Sequence, residues 1–456
     1  MVPRLARCAL LCLVLLAPGV AAAAADVDPK ILRYFTAEAV ARHDAFVRPL
    51  YWNRLLDQVL TVGFVAVFLG FQLNRRLKAR CEAVTARWAK TLGKSTRLAR
   101  VGGVLEKMWG DSTWSGALLF TMAYLAIQIA LNLPLTFYFG WLYEHQHGTS
   151  VESLPRWCWD VCKGLSSEAL ALSALVFGMY GLARRRANWW LLLGVPSAIL
   201  MLILGGVFDP IRQQIYYKHE RLAEGPTKAA IVRALGKAKV EYDDIYVEKH
   251  SDLTRRTDAY IAGEGPTRRI VLWDTVVKAM TPDEAANAVA HEVGHLRDHS
   301  PGRLFFASLA LVPLLWAVAR ILRGLGKKGR LGFDSDRDVA SLPMIFFLLW
   351  LLNMITGPIS NAYSRLLERR ADTFAFELLE EPEPFRSMMV KLARTNLADV
   401  HPPWLWALLA SSHPPVMERI EAAEEFARRK GIAMSVPTPE SFAIPDALDP
   451  LKQAQH

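Results

Sequence analysis

The chain has 456 residues, 52% of them hydrophobic and 14 of them Trp, with a mean hydropathy of +0.17. That is too apolar for an ordinary soluble enzyme, and several uncharged runs approach the roughly 20 residues a helix needs to cross a bilayer. The net charge of +10 comes from basic residues in short loops beside apolar runs, with no nucleic-acid-binding motif around them, so it reads as membrane topology.

In chain order, residues 1–25 have a basic start (Arg4, Arg7), an apolar centre and an alanine-rich end before Asp26. This is the grammar of a secretory signal peptide, with an uncleaved first membrane helix as the rival; both place residues 26–50 outside. Six further segments read as membrane-embedded: Leu55–Phe71, Ala117–Trp141, Ala169–Leu182, Trp189–Val207, Leu304–Ile321 and Leu342–Ile359. Gln128 and Asn132 interrupt the second, and polar groups at that depth face a protein interior or a wet cavity. Five cysteines are present. None forms a CxxC pair, and Cys158 and Cys162 fall four apart on one predicted helix, so neither a cysteine metal site nor a disulfide scaffold is expected.

The chain divides into a leader (1–25), an N-terminal membrane region (26–207), a mixed segment (208–303), two membrane helices (304–361), a charged helical segment (362–436) and a loosely ordered tail (437–456). Within the mixed segment, Val240–Glu248 and Arg269–Trp273 read as short strands. Basic clusters follow the first, third and fifth of the six spans: Arg75 to Arg100, Arg184–Arg186 and Arg323 to Arg330. Alternation puts all three loops on one side, which the positive-inside rule makes cytoplasmic. The mixed and C-terminal segments then face outward.

The stretch Thr281–Ser300 opens with helix-start chemistry: Thr281 as N-cap, Pro282 as the first helical residue and Glu284 as the reciprocal partner. Inside it, His291-Glu292-Val293-Gly294-His295 is a complete H-E-x-x-H. Residues four apart stack on one helix face, so His291 and His295 can present their imidazoles to one metal ion. Glu292 emerges beside them, placed to take a proton from water activated by that metal.

A protease zinc needs a third protein ligand and an open fourth position. Beyond the last span, Glu368 and Asp372 lie four apart in Glu368-Arg369-Arg370-Ala371-Asp372. Glu368 can complete a His2Glu set, and Asp372 can orient a liganding histidine. The bland alternative is a solvated helix laced with i,i+4 charges between Arg365, Glu368, Arg369 and Asp372. His299 competes as third ligand, but a third stacked histidine sits about 6 Å further along the axis and drifts off the face.

With these pieces in place, the sequence resembles the integral-membrane zinc metalloproteases that include the eukaryotic type I CAAX prenyl protease and a smaller bacterial heat-shock protease. The likeness extends to Leu142-Tyr143-Glu144-His145-Gln146-His147-Gly148, to Arg268-Arg269-Ile270-Val271-Leu272-Trp273-Asp274-Thr275 and to Ser412-His413-Pro414-Pro415-Val416-Met417-Glu418-Arg419-Ile420. The resemblance implies one Zn2+ per chain held by His291, His295 and Glu368, with Glu292 as general base. It implies Asp372 as a supporting or proton-donating carboxylate, and His413 and Arg419 near the substrate carbonyl. It further implies that Asp258-Ala259-Tyr260-Ile261 lies on an edge strand that pairs with an extended substrate. The sequence departs from the family there, with Asp258 where Asn is usual, which adds negative charge near the metal.

The expected fold is therefore predominantly α: a multi-pass membrane helical bundle enclosing a chamber, with a gluzincin-type zinc protease domain carrying a small β-sheet. The expected protein is a membrane-embedded zinc metalloendopeptidase of the cell (inner) membrane, its catalytic side periplasmic, with a cytoplasmic site as the alternative if one span is miscounted. Its partners are the lipid bilayer and a peptide or membrane-protein substrate, with no nucleic acid. Nothing in the chain points to CAAX processing itself; a leader and an outward site fit turnover of membrane or envelope proteins better. Three rivals compete with this reading. An intramembrane zinc protease would bury HExxH in an apolar span, yet Asp283, Glu284, Arg297 and Asp298 flank it. A catalytically inactive scaffold would have lost a ligand or the base, and a transporter would carry ionisable residues at the centres of several spans.

Overall fold

The computed structural model describes residues 27–92, 113–203, 218–298 and 309–453, with a few positions between 102 and 111. The leader, His299 and the basic residues Lys94, Arg97 and Arg100 lie outside the described residues. The first long element is α1 (Ala37–Gly70), started by the Thr36 side chain, which accepts from the Ala39 N–H at 3.1 Å. It is much longer than the expected span from Leu55. It is followed by α2 (Leu73–Leu92) and α3 (Trp114–Phe137), which continues through a π turn (Tyr138–Leu142) to Gln146. Next come α4 (Leu154–Arg185), carrying the free, exposed Cys158 and Cys162, and α5 (Trp189–Ile203).

The middle of the chain builds a four-stranded sheet: β1 (His219–Arg221), β2 (Ile245–Glu248), β3 (Ala259–Ala262) and β4 (Arg269–Trp273). Its order is β1-β2-β4-β3, with β2 parallel to β4 and the two outer pairings antiparallel. Strand β2 begins five residues later than expected, because the Asp244 side chain takes the Ile245 N–H (2.8 Å) in a local turn that competes with extended pairing. Helix α6 (Pro226–Ala238) and the short α7 (Asp274–Ala279) flank the sheet, and α8 (Pro282–Asp298) packs across it. Ile245, Ile270 and Leu272 from the strands meet Ala285, Ala286, Val289, Ala290 and Val293 of α8 in one core. The alanine-rich face keeps the helix close to the sheet.

After α9 (Leu311–Gly326) comes α10 (Leu342–Leu379), 38 residues without a break. A boundary between residues 361 and 362 does not exist physically, since the last apolar span and the Glu368–Asp372 segment are one helix. Helices α11 (Pro382–Asn396), α12 (Trp404–Leu409) and α13 (Val416–Lys430) complete the lower core. Four helical stretches among the described residues are long and apolar enough to cross a membrane: Ala37–Gly70, Trp114–Gln146, Leu154–Arg185 and Val339–Leu379.

Two ends are distinct. At one, Asn74 is fully buried and donates to the carbonyls of Leu331 (2.9 Å) and Ala340 (2.8 Å). Lys78 pairs with Asp338 (2.8 Å), while Arg323 (3.1 Å) and Trp189 (2.9 Å) share Asp336. The loops that carry the basic clusters therefore gather at one end. At the other, Tyr143 donates to the Phe46 carbonyl (2.7 Å) and both Glu144 oxygens accept from Arg256 (2.7 and 2.8 Å), tying α1 and the 142–148 loop to the sheet domain. Glu368 follows Leu342 by 26 helical residues, or about 39 Å of rise at ~1.5 Å each.

The segment after Pro437, expected as a loose tail, is packed. Phe442, Ile444 and Leu448 are buried, Asp449 accepts from Arg394 (2.9 Å), and the Ala447 carbonyl accepts from Arg255 (2.9 Å). Its prolines limit the unfolded chain and so lower the entropy lost on docking.

Candidate metal centre

Helix α8 starts as its sequence dictates. The Glu284 carboxylate accepts from the Thr281 N–H (2.7 Å), and the Glu284 N–H points back to the Thr281 hydroxyl (3.4 Å). Glu284 also accepts from Ser387 (2.5 Å) and buried Lys391 (2.8 Å) of α11, so a capping residue doubles as a buried ionic link. That second role left no trace in the spacing, since Lys391 is distant in sequence.

Three turns on, the His291 and His295 Nε2 atoms stand 3.2 Å apart. Glu368 of α10 places its Oε2 3.4 Å from the first and its Oε1 3.3 Å from the second. A tetrahedral ion with bonds of about 2.0–2.1 Å holds its ligand atoms about 3.3–3.4 Å apart. Each histidine nitrogen faces a different oxygen of the one carboxylate, and one ligand atom from each of the three residues lies within 4.8 Å of the others, a donor set that suits such an ion. Glu368 Oε2 is buried and faces only His291 Nε2 (3.4 Å), His413 Nδ1 (3.1 Å) and Arg419 Nη1 (3.7 Å). The electrostatics agree. Burial alone would lower the His291 imidazole, but hydrogen bonds to Asp372 and Glu368 outweigh it and hold it at about 9. Two buried carboxylates therefore demand a cation at this point, and an ion supplies it in place of the proton.

Asp372 accepts from His291 Nδ1 at 2.9 Å, which turns Nε2 toward the site. Arg419 of α13 grips the same carboxylate through Nε (2.8 Å) and Nη2 (2.6 Å). Its Nη1 lies 3.7 Å from Glu368. The i,i+4 surface-charge alternative for this helix fails. Arg365 is buried and donates to the carbonyls of Ser411 (2.5 Å) and Leu408 (3.0 Å), and Arg369 pairs with Glu418 (2.9 Å). Arg365 thereby fixes the loop that carries His413, a role the sequence reading missed. His413 itself is largely exposed, its Nδ1 3.1 Å from Glu368 Oε2.

Glu292 sits beside the ligands, and burial pushes its carboxyl up against the pull of the two histidines, toward the range a general base needs. Gly294 explains the close approach of the two helices: a Cβ there would lie 2.7 Å from Ala371 Cα and 3.1 Å from its Cβ and carbonyl oxygen. Only a glycine lets α8 lie against α10 so that Glu368 and Asp372 reach the histidines.

Strand β3 is an edge of the sheet. The Asp258 carbonyl accepts from the Trp273 N–H (3.0 Å), so alternation turns the Ala259 and Ile261 backbone groups to the open side. Tyr260 is fastened below by its hydroxyl, which donates to Glu248 (2.5 Å). His291, His295, Glu368, Asp372, His413 and Arg419 thus lie together, with β3 packed against the helix that carries Glu292, while His299 is not described.

A buried His2Glu triangle with an adjacent glutamate, on a membrane-crossing helical scaffold, defines a membrane metalloprotease. Residues 222–427 match the family model "Peptidase family M48". It is 29% identical over 343 residues to "Uncharacterized metalloprotease YhfN" of Bacillus subtilis, covering 71% of this chain and 78% of that one. It is 24% identical over 335 residues to "CAAX prenyl protease 1 homolog" of Arabidopsis thaliana, covering 71% and 77%. The crystal structure of S. mikatae Ste24p superposes with a TM-score of 0.70 at 17% identity, over 92% of this chain and 97% of that one, which speaks for the fold.

Proposed function

We propose that the chain is a zinc metalloendopeptidase that cleaves flexible segments of membrane or envelope proteins on the extracytoplasmic face of the cell membrane. The observation that carries the reading is the convergence of one ligand atom each from His291, His295 and Glu368 to within 4.8 Å of one another, next to Glu292. His291, His295 and Glu368 hold the ion, two nitrogens and a carboxylate being a donor set suited to zinc. Zinc supplies Lewis acidity toward water and the peptide carbonyl. Glu292 takes the proton from the attacking water and returns it to the leaving amine. Asp372 keeps the His291 tautomer fixed, and Arg419 balances its charge. His413, exposed at the rim, donates to the oxygen of the tetrahedral intermediate. The open side of β3 holds the substrate extended, which admits unfolded segments and excludes folded domains.

The test compares wild type, Glu292→Gln and Glu368→Ala for zinc content and peptide hydrolysis. Glu292→Gln keeps the metal and loses about 10²–10⁴ in rate; Glu368→Ala loses both. Equimolar zinc and turnover in Glu368→Ala would overturn the assignment. Orientation has its own test. The gathering of basic loops opposite the metal centre supports a cytoplasmic loop end, so a cysteine placed at Lys327 stays unlabelled by a membrane-impermeant reagent in intact cells. Labelling there reverses the orientation.

A further inference from the structure

We propose that Asp258 sets the specificity of the cleft, favouring peptides with Lys or Arg within about two residues of the scissile bond. This rests on the protease reading above and adds the class of substrate. Asp258 begins the edge strand on which an extended peptide must lie. Its position is fixed from both sides. Before it, the Thr257 N–H donates to Asn396 Oδ1 (3.0 Å), the Thr257 carbonyl accepts from Asn396 Nδ2 (3.2 Å), and the Thr257 hydroxyl meets that of Thr395 (2.7 Å). After it, Tyr260 is tied to Glu248, itself buried between His219 (3.1 Å) and His250.

The carboxylate is not turned away. Its Oδ1 accepts from the Ala259 N–H at 2.9 Å, on the open side of the strand. A substrate carbonyl that pairs with Ala259 must displace it, which moves the carboxylate alongside the bound peptide. Among the described residues no ion pair holds it; burial pushes its carboxyl up, while the Ala259 N–H, His250 and His413 draw it back toward the charged form. Strand β3, which it leads into, packs against α8, the helix that carries Glu292. Asp372 and Glu368 already have partners: Asp372 pairs with Arg419, and Glu368 faces the two histidines, His413 and Arg419. Asp258 therefore presents a carboxylate without an ion-pair partner at the start of the substrate strand. A lysine or arginine side chain supplies the missing partner, while a glutamate meets repulsion at the same place.

The experiment uses the full-length zinc-loaded enzyme in lipid nanodiscs and an internally quenched peptide library. One position at a time is set to Lys, Arg, Gln or Glu, and the readout is the ratio of kcat/KM for Lys over Glu peptides. The expected ratio in wild type is about tenfold. Asp258→Asn brings it toward one, Asp258→Glu restores it, and Asp258→Lys inverts it. A library that is not cut at all refutes the protease reading. A library that is cut with no charge preference, or with a preference that survives Asp258→Asn, overturns this inference alone and leaves Asp258 as a local cap on Ala259.

Discussion

Gly294→Ala is the sharpest single perturbation of the metal centre, although it touches no ligand. The added Cβ would lie 2.7 Å from Ala371 Cα, where an ordinary contact begins at 3.4 Å, so the helices must part by about 0.7 Å (3.4 − 2.7). Ala371 stands between Glu368 and Asp372 on α10, so both carboxylates move with it. Zinc sites tolerate about 0.2 Å in their bond lengths. The substitution therefore stretches the Glu368 bond beyond tolerance. The expected loss in zinc affinity is about 10–100-fold, read by competition with a fluorescent chelator. Global stability changes much less, because overpacking of about 1–3 kcal/mol is partly offset by the better helix propensity of alanine, worth up to about 1 kcal/mol. Adding Ala371→Gly does not restore binding. It removes the 3.1 Å Cβ contact and leaves the 2.7 Å approach to the backbone. A Gly294→Ala protein with wild-type zinc affinity would refute the view that helix proximity assembles the site.

Two further outcomes follow from buried charges. Lys391→Met strands the buried Glu284 carboxylate without its cation, which costs about 3–5 kcal/mol; denaturant unfolding that registers under 1 kcal/mol would show the pair to be dispensable. Asp274 accepts from the His250 and Ser251 N–H groups (2.9 Å each), the Ser251 hydroxyl (2.5 Å) and Lys278 (2.7 Å). These bonds outweigh the effect of burial and hold its carboxyl at about 2, below the usual 3.8. The carboxylate then contributes up to about 2 kcal/mol above pH ~4, and the contribution fades as pH falls toward 2. Asp274→Asn accordingly destabilises at pH 7 and converges with wild type near pH 2 in thermal unfolding.

The legible parts of the sequence were those in which neighbours decide the outcome. Thr281, Pro282 and Glu284 announce the start of α8, and the four-residue spacings of His291–His295 and Glu368–Asp372 put each pair on a single helix face. Composition marked the membrane-crossing helices, though their ends were hidden. Thr36 caps α1 well outside the apolar run, and α10 runs on from apolar to charged sequence straight through Gly357-Pro358, which read locally as a breaker. The rest depended on partners far apart in sequence. Arg365 finds the 408–411 carbonyls, Lys391 finds Glu284, and Gly294 meets Ala371. A glycine inside H-E-V-G-H reads locally as a weak helix former, and only the facing backbone reveals its purpose. The packed C-terminal segment misled for a related reason. Its prolines suggested looseness, while Phe442, Ile444 and Leu448 were docking residues with their receptor elsewhere.

Because one unbroken rod both crosses the bilayer and delivers Glu368, the enzyme cannot become active in pieces. Synthesis from the N-terminus produces the two histidines first, and they remain a pair without a carboxylate until the final crossing is threaded. Only a chain that has completed its insertion can cut, so the order of biogenesis guards the cell against a premature protease.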